Sequence, residues 1–187
     1  GYLILLMAAY VLAFPKYRVE QVFAGFIGVF YVAVMLSCVY QVRMLPAGSY
    51  IVWLVFLCSW GCDTCAYCVG VLIGKHKMAP KLSPKKSVEG AVGGIVGTIL
   101  LTILYGYVFR EQMHLATEGI FALAGITAVG GLISMVGDLA ASAIKRNCGI
   151  KDYGTLIPGH GGILDRFDSV IFTAPIIYYL ARFIISG

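Results

Sequence analysis

Val22-Phe23-Ala24-Gly25-Phe26-Ile27-Gly28-Val29-Phe30-Tyr31-Val32-Ala33-Val34-Met35-Leu36-Ser37-Cys38-Val39-Tyr40-Gln41-Val42 runs for 21 residues without a charged side chain. A helix needs about 20 apolar residues to cross the hydrocarbon core of a bilayer, so this stretch reads as a spanning helix. The rest of the chain has the same character. Apolar stretches recur at 1–14, 49–73, 90–109, 120–141 and 169–185. Of the 187 residues 60% are hydrophobic and 12% charged, whereas a soluble domain is about a quarter charged. Mean hydropathy is +0.89. The chain has too little polar surface to cover a water-soluble core, so the expected class is all-α, a polytopic transmembrane protein with about six spanning helices. The 1–14 stretch is short for a crossing and starts abruptly. It reads as a truncated span, not a signal peptide, because no basic segment precedes it and Pro15-Lys16-Tyr17-Arg18 is no cleavage site.

The net charge of +5 says less than its distribution. With sides alternating at each span, one side holds Lys16, Arg18, Lys75, Lys77, Lys81, Lys85, Lys86, Lys145, Arg146, Lys151 and Arg166, and the other only Arg43, Arg110 and Arg182. Eleven cations against three make the first side cytoplasmic by the positive-inside rule. A multi-pass protein of the cell (inner) membrane is expected, with no nucleic-acid partner. The two longer loops, 75–89 and 145–168, both fall on that cytoplasmic side. Both are rich in Gly, Pro, Lys and hydroxyl residues, a composition suited to an anionic substrate.

Intramembrane acids sharpen this. Asp63 and Asp138 lie in apolar surroundings, where an ionised group costs roughly 2.5–3.5 kcal/mol on insertion scales unless it is partnered. Asp63, Tyr67, Gly70 and Gly74 share one helical face, and Gly70-x-x-x-Gly74 permits close backbone approach. Asp138, Ser142, Lys145 and Arg146 share another face, stacked toward the cytoplasmic end. Pro158 to Gly162 cannot be regular helix, and the glycines around His160 would let backbone N–H groups converge as an anion-binding nest. A last helix is expected near Ile163, with Asp165 and Asp168 one turn apart at its start, favoured there by the helix dipole and suited as hard oxygen donors to Mg²⁺. Lys85 and Lys86 follow a Ser83-Pro84 turn and are point-charge partners for phosphate. Cys62, Cys65 and Cys68 are spaced like metal ligands, but inside an apolar helix they read as a stripe of small residues.

These residues resemble a known family. Ser142-Ala143-Ile144-Lys145-Arg146, then Lys151-Asp152, then Pro158-Gly159-His160-Gly161-Gly162-Ile163-Leu164-Asp165-Arg166-Phe167-Asp168 is similar, across 27 residues, to the signature of the phosphatidate cytidylyltransferases. Asp63-Thr64, Ala66-Tyr67, Gly70, Gly74-Lys75, Pro80 and Ser83-Pro84-Lys85-Lys86 also look like that family, with Ser87 where Thr is common. The resemblance implies transfer of CMP from CTP to phosphatidic acid in the bilayer, giving CDP-diacylglycerol and pyrophosphate. It implies Mg²⁺ on Asp138, Asp165 and Asp168, and a second cation, K⁺, beside it. Lys145, Arg146 and His160 are the further expected catalytic groups. Asp63, Tyr67, Lys75, Ser83, Lys85, Lys86, Ser142, Lys151, Asp152, Gly161, Gly162 and Arg166 are expected to bind substrate. Residues 1–187 would form a single transmembrane catalytic domain, the C-terminal two thirds of the family fold, and a homodimer is compatible with it. Two alternatives remain open: a CTP-dependent cytidylyltransferase or kinase acting on another lipid, and an ion-coupled transporter, whose acids would sit near the midplane rather than at one face.

Overall fold

The computed structural model describes residues 1–156 and 161–186. Among the described residues six helices follow one another: α1 Tyr2–Leu12, α2 Val19–Arg43, α3 Gly48–Ile73, α4 Val88–Val108, α5 Thr117–Asn147 and α6 Leu164–Ser186. The helices α2 to α5 are long and apolar enough to cross a membrane. This makes the chain a multi-pass, all-α membrane protein, in line with its composition. At 11 residues, α1 falls short of the roughly 20 that a crossing requires.

Two of the spans are interrupted by π-helical turns, Phe30–Val34 in α2 and Leu57–Gly61 in α3. Each turn directs a polar side chain at the start of α6. Ser59 Oγ shares a buried 2.5 Å hydrogen bond with Ser169 Oγ, and the Tyr31 ring meets Phe172 edge-on at 5.7 Å.

The core joins four helices. Val42 of α2, Leu54, Val55 and Cys58 of α3, Leu123 and Ile126 of α5, and Val170, Ala174 and Ile177 of α6 are buried together. Glycine lets α4 approach α3 closely. A Cβ at Gly94 would stand 2.9 Å from Ala66 Cβ and 2.9 Å from the Cys62 carbonyl. Cys62 also donates to the Gly131 carbonyl, and Cys65 fills the notch at Gly97. The cysteine stripe thus packs as small residues against glycine backbones.

The 75–89 loop departs from the turn read in the sequence. It folds as an antiparallel hairpin, β1 Lys77–Ala79 and β2 Ser83–Ser87. Ser87 then caps α4, accepting from Gly90 N–H at 3.1 Å, while Glu89 accepts from the Lys75 and His76 N–H groups and the His76 ring. Pairing of Lys77 with Ser87 and of Ala79 with Ser83 closes the hairpin, and Lys85 and Lys86 lie on the stretch between those pairs, where the register shifts. At 31 residues and 1.5 Å rise, α5 is about 46 Å long. That exceeds the roughly 30 Å hydrocarbon core, so its last turn, with Lys145 and Arg146, has room to emerge where cations favour the helix C-terminus.

Candidate active site

The hairpin, the end of α3, the start of α4 and the last third of α5 enclose a cavity of about 520 Å³. Asp63 and Tyr67 line it from α3, Ser83, Lys85 and Lys86 from β2, and Asp138 from α5. These residues come from three separate segments, one of them the expected 75–89 loop, while the 145–168 loop contributes none of them. Lys86 forms an ion pair with Asp138, both side chains about three-quarters buried. Lys77 and Met135 also line the cavity. In the sequence Lys77 is one of the eleven cations counted on the cytoplasmic side. Only its place on β1, opposite Ser87, brings it here.

A second cluster lies where α5 ends and α6 begins. Lys145 Nζ donates to Asp165 Oδ1 at 2.8 Å and stands 3.8 Å from Asp168 Oδ2. All three side chains are at most 10% exposed. Asp165 Oδ2 accepts from Tyr153 N–H at 2.8 Å and from Gly162 N–H at 2.9 Å. Part of the expected nest is therefore turned onto the chain's own carboxylate, which ties the 153–162 loop to α6. Gly161 takes φ +80°, where a side chain would be strained and would also crowd Asp165. Tyr153 lays its ring over Lys145 Nζ at 5.2 Å and its hydroxyl donates to the Ala141 carbonyl. Burial raises the Tyr153 hydroxyl pKa, Lys145 opposes this, and Asp168 and Asp165 add to the rise.

The two clusters form one electrostatic unit. Asp168 lies within reach of the charges of Asp138 and Asp63, and Lys145 within reach of Asp138. When ionised, the inner carboxylates Asp63, Asp138, Asp165 and Asp168 outnumber Lys86 and Lys145 by two. A hard divalent cation matches that excess and those oxygen donors. Its cage is not preformed: among the described residues no three His, Cys, Asp or Glu groups are gathered to hold a metal ion, and lysines engage the acids instead.

Other expected residues stand further out. Ser142 is half-buried one turn beyond Asp138 on α5. Arg146 is exposed and donates to the Ile150 carbonyl, bracing the turn after α5. Lys75, Lys151 and Asp152 are exposed, and none lines the cavity. Arg166 is exposed, and its carbonyl accepts from Trp60 Nε1 at 3.0 Å. His160, with Pro158 and Gly159, lies outside the described residues. Sequence reasoning missed Tyr31, Ser59, Trp60, Tyr153 and Ser169. For Tyr31, Ser59, Trp60 and Ser169, a hydroxyl or aromatic in or beside an apolar run carries no mark that separates it from packing, and Tyr153, in a polar loop, meets Lys145 only through the tertiary fold.

A model of the cytidylyltransferase family matches residues 1–184. A phosphatidate cytidylyltransferase of Synechocystis sp. is 41% identical over 137 residues, 72% of this chain and 44% of the relative. The enzyme of that name from Staphylococcus aureus is 35% identical over 150 residues, 80% of this chain and 55% of the relative. That from Rickettsia bellii is 31% identical over 156 residues, 82% and 67% respectively. The chain spans about half the length of the first two of these relatives.

Proposed function

This chain belongs to the cytidylyltransferase family, and from that premise we propose that it carries the catalytic part of an enzyme transferring CMP from CTP to phosphatidic acid. The observation that carries the reading is the cavity in which Lys86 and Asp138 meet beside Asp63, joined to the Lys145–Asp165–Asp168 cluster at the same end of the helix bundle. Acids and bases gathered at one end favour an enzyme over a transporter with a midplane site. The positive-inside bias supports a cytoplasmic orientation, where CTP is available.

In the reaction an oxygen of the lipid phosphate attacks the α-phosphorus of CTP. A P–O bond forms there as the bond to the β-phosphate oxygen breaks, and pyrophosphate leaves with that electron pair. Two anions must approach, so positioning and charge screening dominate. Lys85, Lys86 and Lys77 line the cavity and would hold triphosphate oxygens. Asp138 holds Lys86 in place before substrate arrives and releases it toward phosphate when the anion binds. Lys145 would meet the second phosphate, with Asp165 fixing its position through the 153–162 loop. Mg²⁺, when bound by Asp138, Asp165 and Asp168, would neutralise charge on the triphosphate and the leaving pyrophosphate, with K⁺ as a second cation. The acyl chains remain in the bilayer, and a homodimer is compatible with this arrangement.

The test is an assay of the protein with CTP and a panel of lipid phosphates that includes phosphatidic acid and polyprenyl and isoprenoid ether phosphates. Phosphatidic acid should be the preferred acceptor, and Asp138→Asn should abolish turnover while leaving the helical circular dichroism spectrum intact. Preference for another lipid phosphate would reassign the acceptor, and a wild-type rate in Asp138→Asn would remove the site from the reaction.

A further inference from the structure

The Tyr31 hydroxyl is cut off from solvent and has no hydrogen-bond partner among the described residues. Buried polar groups are nearly always bonded, and each exception calls for a cause. Ser134 and Thr102 also carry unpaired buried hydroxyls. Theirs are short side chains that can rotate onto a carbonyl of the preceding helical turn. A phenol has no such recourse, since the ring holds its oxygen far from its own backbone. The partner of Tyr31 must come from elsewhere.

The backbone around it is built to place it. Tyr31 sits in the π-helical turn Phe30–Val34, a feature that recurs at functional sites. Within this turn Phe30 is 55% and Val34 47% exposed, facing outward, while Tyr31 turns inward to Phe172. Phe172 is four residues beyond Asp168 on α6, so the two share a helical face. The ring of Tyr31 therefore rests one turn inside the acid cluster. Among the described titratable groups, Asp168 and Tyr153 bear on its hydroxyl electrostatically. Asp168 in turn lies 3.8 Å from Lys145 Nζ, and its Oδ1 is occupied by the Ser169 N–H. A donor thus stands ready on the rim of a cluster whose cation, Lys145, suits a phosphate.

We propose that Tyr31 is a substrate-binding residue whose hydroxyl donates to a phosphate oxygen held on the Lys145–Asp168 side of the site. The proposal rests on the cytidylyl-transfer reading and adds α2 to the elements that build the site. That phosphate belongs either to CTP or to the lipid, and kinetics can separate the two.

The test is Tyr31→Phe, which keeps the ring on Phe172 and removes only the oxygen. Initial rates are measured with CTP and phosphatidic acid varied separately, beside thermal unfolding with and without each ligand. The expected result is a fall of about tenfold or more in kcat/KM for one substrate, the scale of a hydrogen bond to a charged group. The same ligand should protect Tyr31→Phe less against heat, while the melting temperature without ligand is unchanged or raised. The affected substrate identifies the phosphate. Unchanged kcat/KM for both substrates, with or without a change in stability, would make Tyr31 a packing residue and overturn the proposal. If the wild type neither turns over nor is stabilised by CTP or phosphatidic acid, the functional reading itself fails. If the wild type responds and Tyr31→Phe matches it, only the role of Tyr31 fails.

Discussion

Lys145→Met removes a cation that serves two buried carboxylates, and its effect can be bounded from the geometry. Lys145 Nζ is 2.8 Å from Asp165 and 3.8 Å from Asp168, with its side chain 10% exposed. Methionine fills a similar volume, so lost packing adds little. The dominant cost is the charge left behind: breaking a buried ion pair from one side costs roughly 3–5 kcal/mol. Asp165 keeps its bonds from Tyr153 and Gly162, which argues for the lower end of that range. For a chain of this size 1 kcal/mol moves the melting temperature by about 2–4 °C, so Lys145→Met should melt on the order of 10 °C below the wild type in detergent. Adding Asp165→Asn removes one stranded charge and should recover part of the loss. The double-mutant cycle should therefore return a coupling of about 1.5 kcal/mol or more. A melting point for Lys145→Met within about 2 °C of wild type would refute the reasoning, as would a double mutant less stable than additivity predicts.

Three other outcomes follow from the same structure. Gly94→Leu should fail to give folded protein, since even a Cβ there meets Ala66 and the Cys62 carbonyl at 2.9 Å; Gly125→Ala, with nothing within 4 Å, should express and melt at or slightly above wild type by size-exclusion and thermal assays. Cys65→Ala should retain at least half the wild-type rate, and elemental analysis should find no zinc or iron in either protein, because the stripe packs rather than ligates. Chelation of divalent ions should stop turnover and Mg²⁺ should restore it, with Asp138→Asn unresponsive to added metal in the same assay.

Much of the fold was legible because a bilayer imposes it. Uncharged runs set the spans, and the lysine distribution put the 75–89 and 145–168 loops at one end, where the structure brings Lys86 against Asp138. Helical spacing placed Asp138 and Lys145 on α5 and put Asp165 in the first turn of α6, with Asp168 in the next turn rather than the first. The π turns were not legible. An i→i+5 register is a choice of backbone hydrogen bonds that Phe30–Val34 and Leu57–Gly61 do not advertise in their side chains. This hid the contacts of Tyr31, Ser59 and Trp60 with α6. The hairpin was hidden for a different reason: strands of three and five residues are too short for an alternating pattern. The pairing of Asp165 with Lys145 across 20 residues is a tertiary event. Sequence spacing alone left that carboxylate free for a metal.

The central claim is that nucleophilic attack falls on the α-phosphorus of CTP. Incubating the protein with phosphatidic acid and Mg²⁺, with CTP labelled in parallel reactions at the α- or the γ-phosphorus, tests it most directly. Cytidylyl transfer predicts α-label in the lipid and γ-label in pyrophosphate. Label from the γ-position in the lipid would mean a kinase, and no label in lipid from either position would contradict the account.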